Sequence, residues 1–441
     1  MRRRSFHGLI SATVWQLVGC SAKAATPPAA ARLLRPQRPV RWKDFLGVNA
    51  HFLWFTPQQY QQQIAQWKAL GLEWLRVDLH WDRVEPEVQQ YRLDELDTLV
   101  RTLQTQQQKS VFYLVGSAPF VTSAPRFSST PDQYPPRDVE AFAERMALLA
   151  QRYPSVDAWQ VWNEPNLPSF WRPRANPEAY AKLLQASVCA LRQAVPGKTV
   201  VMGGMAYYSQ MPGRGGLMLE ALGRLGVVGL DTVVAYHPYS LQPEGDVPRD
   251  SDFTLRVYQL NRTLRAAGVR QIWATEWGWS SYAGPKEEQD IIGEQGQADY
   301  MLRRLALMSA LDFDRIFLFA LSDLDNRATP RDRSYGLLDL QGRAKPAYLA
   351  LQRFLRLTGP ALEPIALPVI EGAGDDLHAV AWRREDGRRL LLFWKASGGQ
   401  LTLPGLMQAE VHHPLDGARR GLQGEKSLQL TALPSLQILI W

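Results

Sequence analysis

Cysteine is almost absent, with Cys20 and Cys189 alone among 441 residues. Cys20 falls in an N-terminal segment that reads as removable and Cys189 in a helical run, so no structural disulfide is expected. Past the N-terminus, no apolar run approaches the roughly 18 residues that a membrane span needs. A surplus of one charge is also small. The formal net charge is +7, but Arg2, Arg3, Arg4 and Lys23 sit in the N-terminal segment, and without them about +3 remains. That excess is too slight for a nucleic-acid footprint, so nucleic acid is not expected as a partner. The seven histidines include no His-x-His pair and no His-Glu-x-x-His helix, so neither metal nor cofactor is expected. The chain does have 46% apolar residues, enough for a large core that needs no staples.

Residues 1–24 combine a basic start (Met1 to Arg4), an apolar stretch (Leu9 to Gly19) and a small-residue site at Ala22-Lys23-Ala24, the pattern of an export signal. Arg3-Arg4-Ser5-Phe6 resembles a weak twin-arginine signal, and Leu17-Val18-Gly19-Cys20 resembles a lipobox that would lipidate Cys20. His7 and Gln16 weaken the apolar stretch and leave a retained anchor open. A periplasmic location is expected, free, anchored in the inner membrane or lipid-tethered. Residues 25–40 are rich in Ala and Pro and read as a linker.

From there, short β-branched and aromatic runs alternate with amphipathic runs eight times. Strands are expected at Phe45–Asn49, Trp74–Leu79, Ser110–Val115, Ala158–Trp162, Thr199–Met202, Thr232–Tyr236, Gln271–Thr275 and Arg315–Phe319. Thr56-Pro57 and Asn176-Pro177 each place a capping side chain before a proline that lacks the orphan N–H, so both mark helix starts. The alternation predicts an α/β fold, a (β/α)8 TIM barrel over residues 41–358. Beyond Gly359 short alternating strands with turn signals, such as Asp386-Gly387, predict a small antiparallel β-sandwich domain over 359–441.

In such barrels reactive groups sit where strands end and βα loops begin. Strand 4 ends in Trp162-Asn163-Glu164-Pro165-Asn166, strand 6 in Tyr236-His237-Pro238-Tyr239 and strand 7 in Ala274-Thr275-Glu276-Trp277-Gly278; strand 2 carries Arg76 and ends at His80-Trp81. Two carboxylates from different strands on one face are the minimum apparatus for glycosidic cleavage. One protonates the leaving oxygen and the other stabilises or attacks the oxocarbenium-like centre. Arg76 beside the second would keep it charged. Trp81, Trp171, Trp277 and Trp279 are candidate platforms for sugar faces.

The run from Trp159 to Leu167, followed by Phe170-Trp171, resembles the acid/base signature of glycoside hydrolase family 39, among the retaining (β/α)8 glycosidases, and Ala274-Thr275-Glu276-Trp277 resembles its nucleophile strand. His237 matches its strand-6 histidine and Ser322-Asp323 the end of its strand 8. In length and N-terminus the chain is most similar to members encoded with Psl-type exopolysaccharide biosynthesis. The resemblance implies Glu164 as acid/base, Glu276 as nucleophile, Asn163 at the sugar 2-hydroxyl, and Arg76, His237 and Tyr239 as supports of the nucleophile and substrate; His80, at the end of strand 2, and Asp323, at the end of strand 8, are further candidate substrate contacts. Family members commonly carry Trp where Phe319 aligns, which makes that subsite unusual. The expected activity is hydrolysis of a bacterial exopolysaccharide by an endo-acting monomer. The same site could instead perform transglycosylation, or the cleft could only bind and assemble polysaccharide; a metal-dependent hydrolase built on His51, His80 and His237 is a further alternative.

Overall fold

The computed structural model describes residues 33–206, 215–245, 253–285 and 290–441. Residues 1–24, residues 25–32 of the expected linker, and residues 207–214, 246–252 and 286–289 of three loops lie outside the described residues. No described helix is long and apolar enough to cross a membrane.

Eight parallel strands form the barrel: β1 (Leu46–Asn49), β2 (Trp74–His80), β3 (Lys109–Val115), β4 (Ala158–Val161), β5 (Thr199–Met202), β6 (Val234–His237), β7 (Ile272–Trp277) and β8 (Arg315–Leu318). β8 returns to β1 through Ile316↔Leu46, and a bridge at Val201↔Val233 joins β5 to β6. The ring is therefore closed and leaves no edge strand for other chains to pair with. Buried on both faces, β1, β4, β6 and β7 are fully buried along their length, which explains their continuous apolar character.

The helices α1 (Pro57–Ala69), α2 (Asp94–Thr105), α3 (Val139–Arg152), α4 (Pro177–Ala194), α5 (Gly215–Arg224), α6 (Phe253–Ala266), α7 (Gly293–Ala310) and α8 (Pro346–Thr358) follow the strands in turn. Thr56 and Gln59 form a reciprocal capping box on α1, and the Asp138 and Asn176 side chains cap α3 and α4, each worth about 1 kcal/mol. The N-terminal end of the barrel is plugged by Trp74, Val111, Ala158, Val201, Val233, Ala235, Trp273 and Phe317. Gly47 makes room for that plug: a Cβ there would lie 2.5 Å from the Phe317 ring. With the floor filled, the C-terminal mouth is the open end.

The second domain contains β9 (Ala361–Pro364), β10 (Leu377–Arg384), β11 (Arg389–Lys395), β12 (Gly399–Pro404), β13 (Gln408–His412), β14 (Arg419–Gln423), β15 (Ser427–Ala432) and β16 (Gln437–Ile440). Alternation sorts its faces: Leu377, Ala379, Ala381, Leu391 and Phe393 meet the small β12/β15 pair, while Val380, Trp382, Leu390, Leu392 and Trp394 join the barrel's core. Two strands were not anticipated in the sequence, β9 and the polar edge strand β14.

The segment expected as a linker differs most. Leu33–Leu34 pairs in parallel with Ala379–Val380, and Val40–Arg41 pairs with Leu362 and Ala361. Arg38 adds ion pairs to Asp312 and Asp314 at 2.9 and 2.7 Å. Short apolar pairs between prolines look like linker in sequence, yet an open sheet edge accepts them.

Candidate active site

The chain turns sharply after β4. Trp162 and Glu164 take φ of 72° and 41°, values that side chains with a Cβ rarely adopt and that cluster at functional sites. The Glu164 N–H donates to Gly204 O at 3.0 Å, which holds the strained turn against the end of β5 and keeps Glu164 buried over the mouth.

Arg76, 1% exposed, organises the floor of the cleft. Its Nη1 donates to Glu276 Oε1 at 2.7 Å and to Asn49 Oδ1 at 2.6 Å, its Nη2 to Asn163 Oδ1 at 2.7 Å, and its Nε to Gln160 Oε1 at 2.9 Å. The Tyr113 ring lies 3.9 Å from the guanidinium carbon. A buried charge is tolerable only with such complete pairing. Tyr239 OH donates to the other Glu276 oxygen at 3.3 Å, so Glu276 is held from both sides.

Glu164 lacks an equivalent cation at hydrogen-bond distance. Burial pushes its carboxyl up to about 8, against the weaker pull of Arg76, so it carries a proton at neutral pH. His237 Nδ1 lies 2.8 Å from Glu164 Oε1 and 3.5 Å from Glu276 Oε2, while Nε2 meets Thr275 Oγ1 at 3.0 Å. Burial pushes this imidazole down to about 4, so it is a neutral hydrogen-bond partner between the two carboxyls. One ligand-type atom each from Glu164, His237 and Glu276 falls within a 4.8 Å cluster.

The geometry sorts the other candidates. Asn163 reaches the cluster through Arg76. His51 and His80 sit apart from His237 and share Asp78, at 2.9 and 3.4 Å. Burial opposes charge on His51, but Asp78 holds its imidazole above the ordinary value. The three histidines therefore do not form one metal site. The carboxylate–imidazole cluster suits a cation poorly, because the Arg76 guanidinium already occupies Glu276 and repels a second positive charge. Asp323 bonds Lys345 Nζ at 3.0 Å and the Gly336 N–H at 2.8 Å, a tie between loops.

The four tryptophans considered as sugar platforms require correction, since all are at most 3% exposed. Trp81 packs edge-on against Phe120 and Phe142 and donates to Glu85; Trp171 packs between Trp162 and Tyr180; Trp279 donates to Ser240 O and Leu241 O; Trp277 is fully buried beside them. A ring whose faces are packed by protein cannot also stack on a sugar. Phe319, by contrast, is half-buried at the end of β8, edge-on to His51 and Tyr335 at 5.4 and 5.2 Å. Sequence reasoning missed Asn49, Asp78, Tyr113, Gln160 and Thr275. Each is a single polar residue on a barrel strand, which forms no motif, so the sequence offered no signal that singled them out.

Residues 35–308 match the cellulase family, glycosyl hydrolase family 5. No curated protein sequence matches the chain. Among solved structures, a family 39 glycoside hydrolase from the gut symbiont Bacteroides cellulosilyticus WH2 is 19% identical with a TM-score of 0.69, over 95% of this chain and 83% of that one. A GH39 β-xylosidase from Caulobacter crescentus is 18% identical (TM-score 0.63, 92% and 97% covered), and a GH30 endoxylanase from Clostridium papyrosolvens C71 is 10% identical (TM-score 0.61, 92% and 97% covered). These likenesses span nearly the whole chain, so the shared fold includes the second domain as well as the barrel.

Proposed function

Because the chain belongs to the cellulase family of glycoside hydrolases, retaining enzymes on a (β/α)8 barrel, we propose that Glu164 is its acid/base and Glu276 its nucleophile. One observation carries this reading. One oxygen of Glu164 lies within 4.8 Å of one oxygen of Glu276, which fits the roughly 5–5.5 Å carboxyl separation of retaining enzymes better than the about 6.5–9.5 Å of inverting ones.

The chemistry follows from the surroundings of each group. A Glu276 oxygen attacks the anomeric carbon as the bond to the leaving oxygen breaks. Protonated Glu164 gives its proton to that oxygen, leaving a glycosyl ester on Glu276. Glu164, now a carboxylate, takes a proton from water; the water oxygen attacks the anomeric carbon and releases Glu276. Arg76 and the Tyr239 hydroxyl each bond one Glu276 oxygen and hold the carboxyl in place for attack, and neutral His237 accommodates both states of Glu164 without adding charge.

The finer reading is internal cleavage of a bacterial exopolysaccharide by a monomer outside the cytoplasm. It is supported by the export-like N-terminus and by the resemblance to enzymes encoded with Psl-type exopolysaccharide. The test follows reducing ends and product length from purified exopolysaccharides. Glu164→Gln and Glu276→Gln should each lower turnover by about 10³-fold or more, with internal fragments from the wild type. Unchanged hydrolysis in both variants would sink the assignment, and binding without release by the wild type would favour a non-catalytic role.

A further inference from the structure

The loops after β3 and β4, which flank Glu164, are basic and carry one strongly exposed aromatic ring. The loop after β3 is tightly tied: Ser117 N–H donates to Asp132 O at 3.1 Å, Thr122 Oγ1 to Pro131 O at 2.6 Å, and Arg137 N–H to Val121 O at 2.8 Å. It is joined to the loop after β4 by Arg172, whose N–H and Nε donate to Gln133 O and Oε1 at 2.8 and 2.7 Å. On this ordered scaffold Phe127 is 90% exposed, with the Arg126 guanidinium 5.6 Å from its ring centroid. A lone exposed phenylalanine is ordinary; its company is not. Between Ser117 and Ala175 the two loops carry Arg126, Arg137, Arg172 and Arg174, and among the described residues none of the four has a carboxylate at ion-pair distance. Apart from Glu164, the acids of these two loops are Asp132 and Asp138, against the four arginines.

Resting on the assignment of Glu164 as the acid, the geometry points to a second property: we propose that this wall binds the leaving-group side of an acidic polysaccharide. Phe127 stacks on a sugar face, and Arg126 and Arg174 meet its carboxylates. The side follows from the chemistry, because the departing sugar must lie against the group that protonates its oxygen, and Glu164 rises from β4 next to these loops. The acidity follows from charge complementarity: Arg126 lies beside the Phe127 ring and Arg174 is on the neighbouring loop, and guanidinium groups without carboxylate partners favour a ligand with fixed negative charge over a neutral one.

The test uses the full-length Glu276→Gln protein, which cannot digest its ligand, in affinity electrophoresis against polygalacturonate and alginate (acidic) and xylan and mannan (neutral). At low ionic strength the acidic polymers should bind at least about tenfold more tightly, and added salt should weaken them selectively. Arg126→Gln/Arg174→Gln should lose about tenfold of that affinity, and Phe127→Ala several-fold with the salt dependence unchanged. Arg41→Gln/Lys43→Gln, the same charge change on exposed side chains at the closed end of the barrel, should lose less than about twofold. Equal loss in that control pair, equal affinity for neutral polymers, or retention by none of the four would overturn the proposal. Hydrolysis by the Glu164 and Glu276 variants is read separately, so either conclusion can fall while the other stands.

Discussion

At the scale of single residues, one buried carboxyl sets both the pH range of the reaction and part of the cost of folding. Glu164 must be protonated for the first step, so kcat/KM should fall as pH rises through about 8, which a pH–rate profile on a small aryl glycoside would show. An alkaline limb that stays put when Glu164 is replaced would refute the link. Stability should follow the same group. Its folded-state value lies above the ordinary 4.5, so its contribution is complete below about pH 4.5 and is lost as pH rises through about 8. Glu164→Gln should therefore raise Tm at pH 9 and change it little at pH 4, measured by calorimetry. Both glutamates were legible because each sits in a motif at a strand end. Asn49, Tyr113 and Thr275 were not, since a single inward polar residue forms no pattern; they became visible only as partners of Arg76 and His237. The tryptophans were misread for a related reason. Indole suits a sugar face and a packed core equally well, and burial alone separates the two.

At the scale of elements, the mouth is built by close approach between strand ends. Gly204, just past β5, has no side chain because the His237 imidazole and Thr275 hydroxyl fill the space where a Cβ would lie. Gly204→Ala should push His237 away from Glu164, lowering kcat by about 10²-fold with a smaller change in KM. Wild-type kinetics in that variant would mean that the imidazole position is unimportant. The barrel strands were readable because burial on both faces produces continuous apolar runs, and helix starts because caps have specific chemistry. β14, with the sequence Arg-Arg-Gly-Leu-Gln and burial only at Leu422, carried no such signal; its pairing with β13 supplies what its composition lacks.

At the scale of the molecule, barrel and sheet are not separable units. Trp382, Trp394, Ile438 and Ile440 of the second domain share one core with Trp42 and Phe354 of the barrel, and Trp394 Nε1 donates to Glu244 on the loop after β6 at 2.8 Å. The N-terminal segment binds the two together from the outside. A chain beginning at Pro36 should melt a few degrees below one beginning at Leu33, because it loses a short parallel strand worth about 1–3 kcal/mol. Identical melting would show that the strand contributes nothing.

That same pairing sets the order in which the protein can be completed. Leu33 and Leu34 precede every strand of the barrel in the chain, whereas their partners Ala379 and Val380 follow the last of them. The nascent chain must carry this apolar stub unpaired through the synthesis of the whole barrel, and the pairing can form only once β10 has been made.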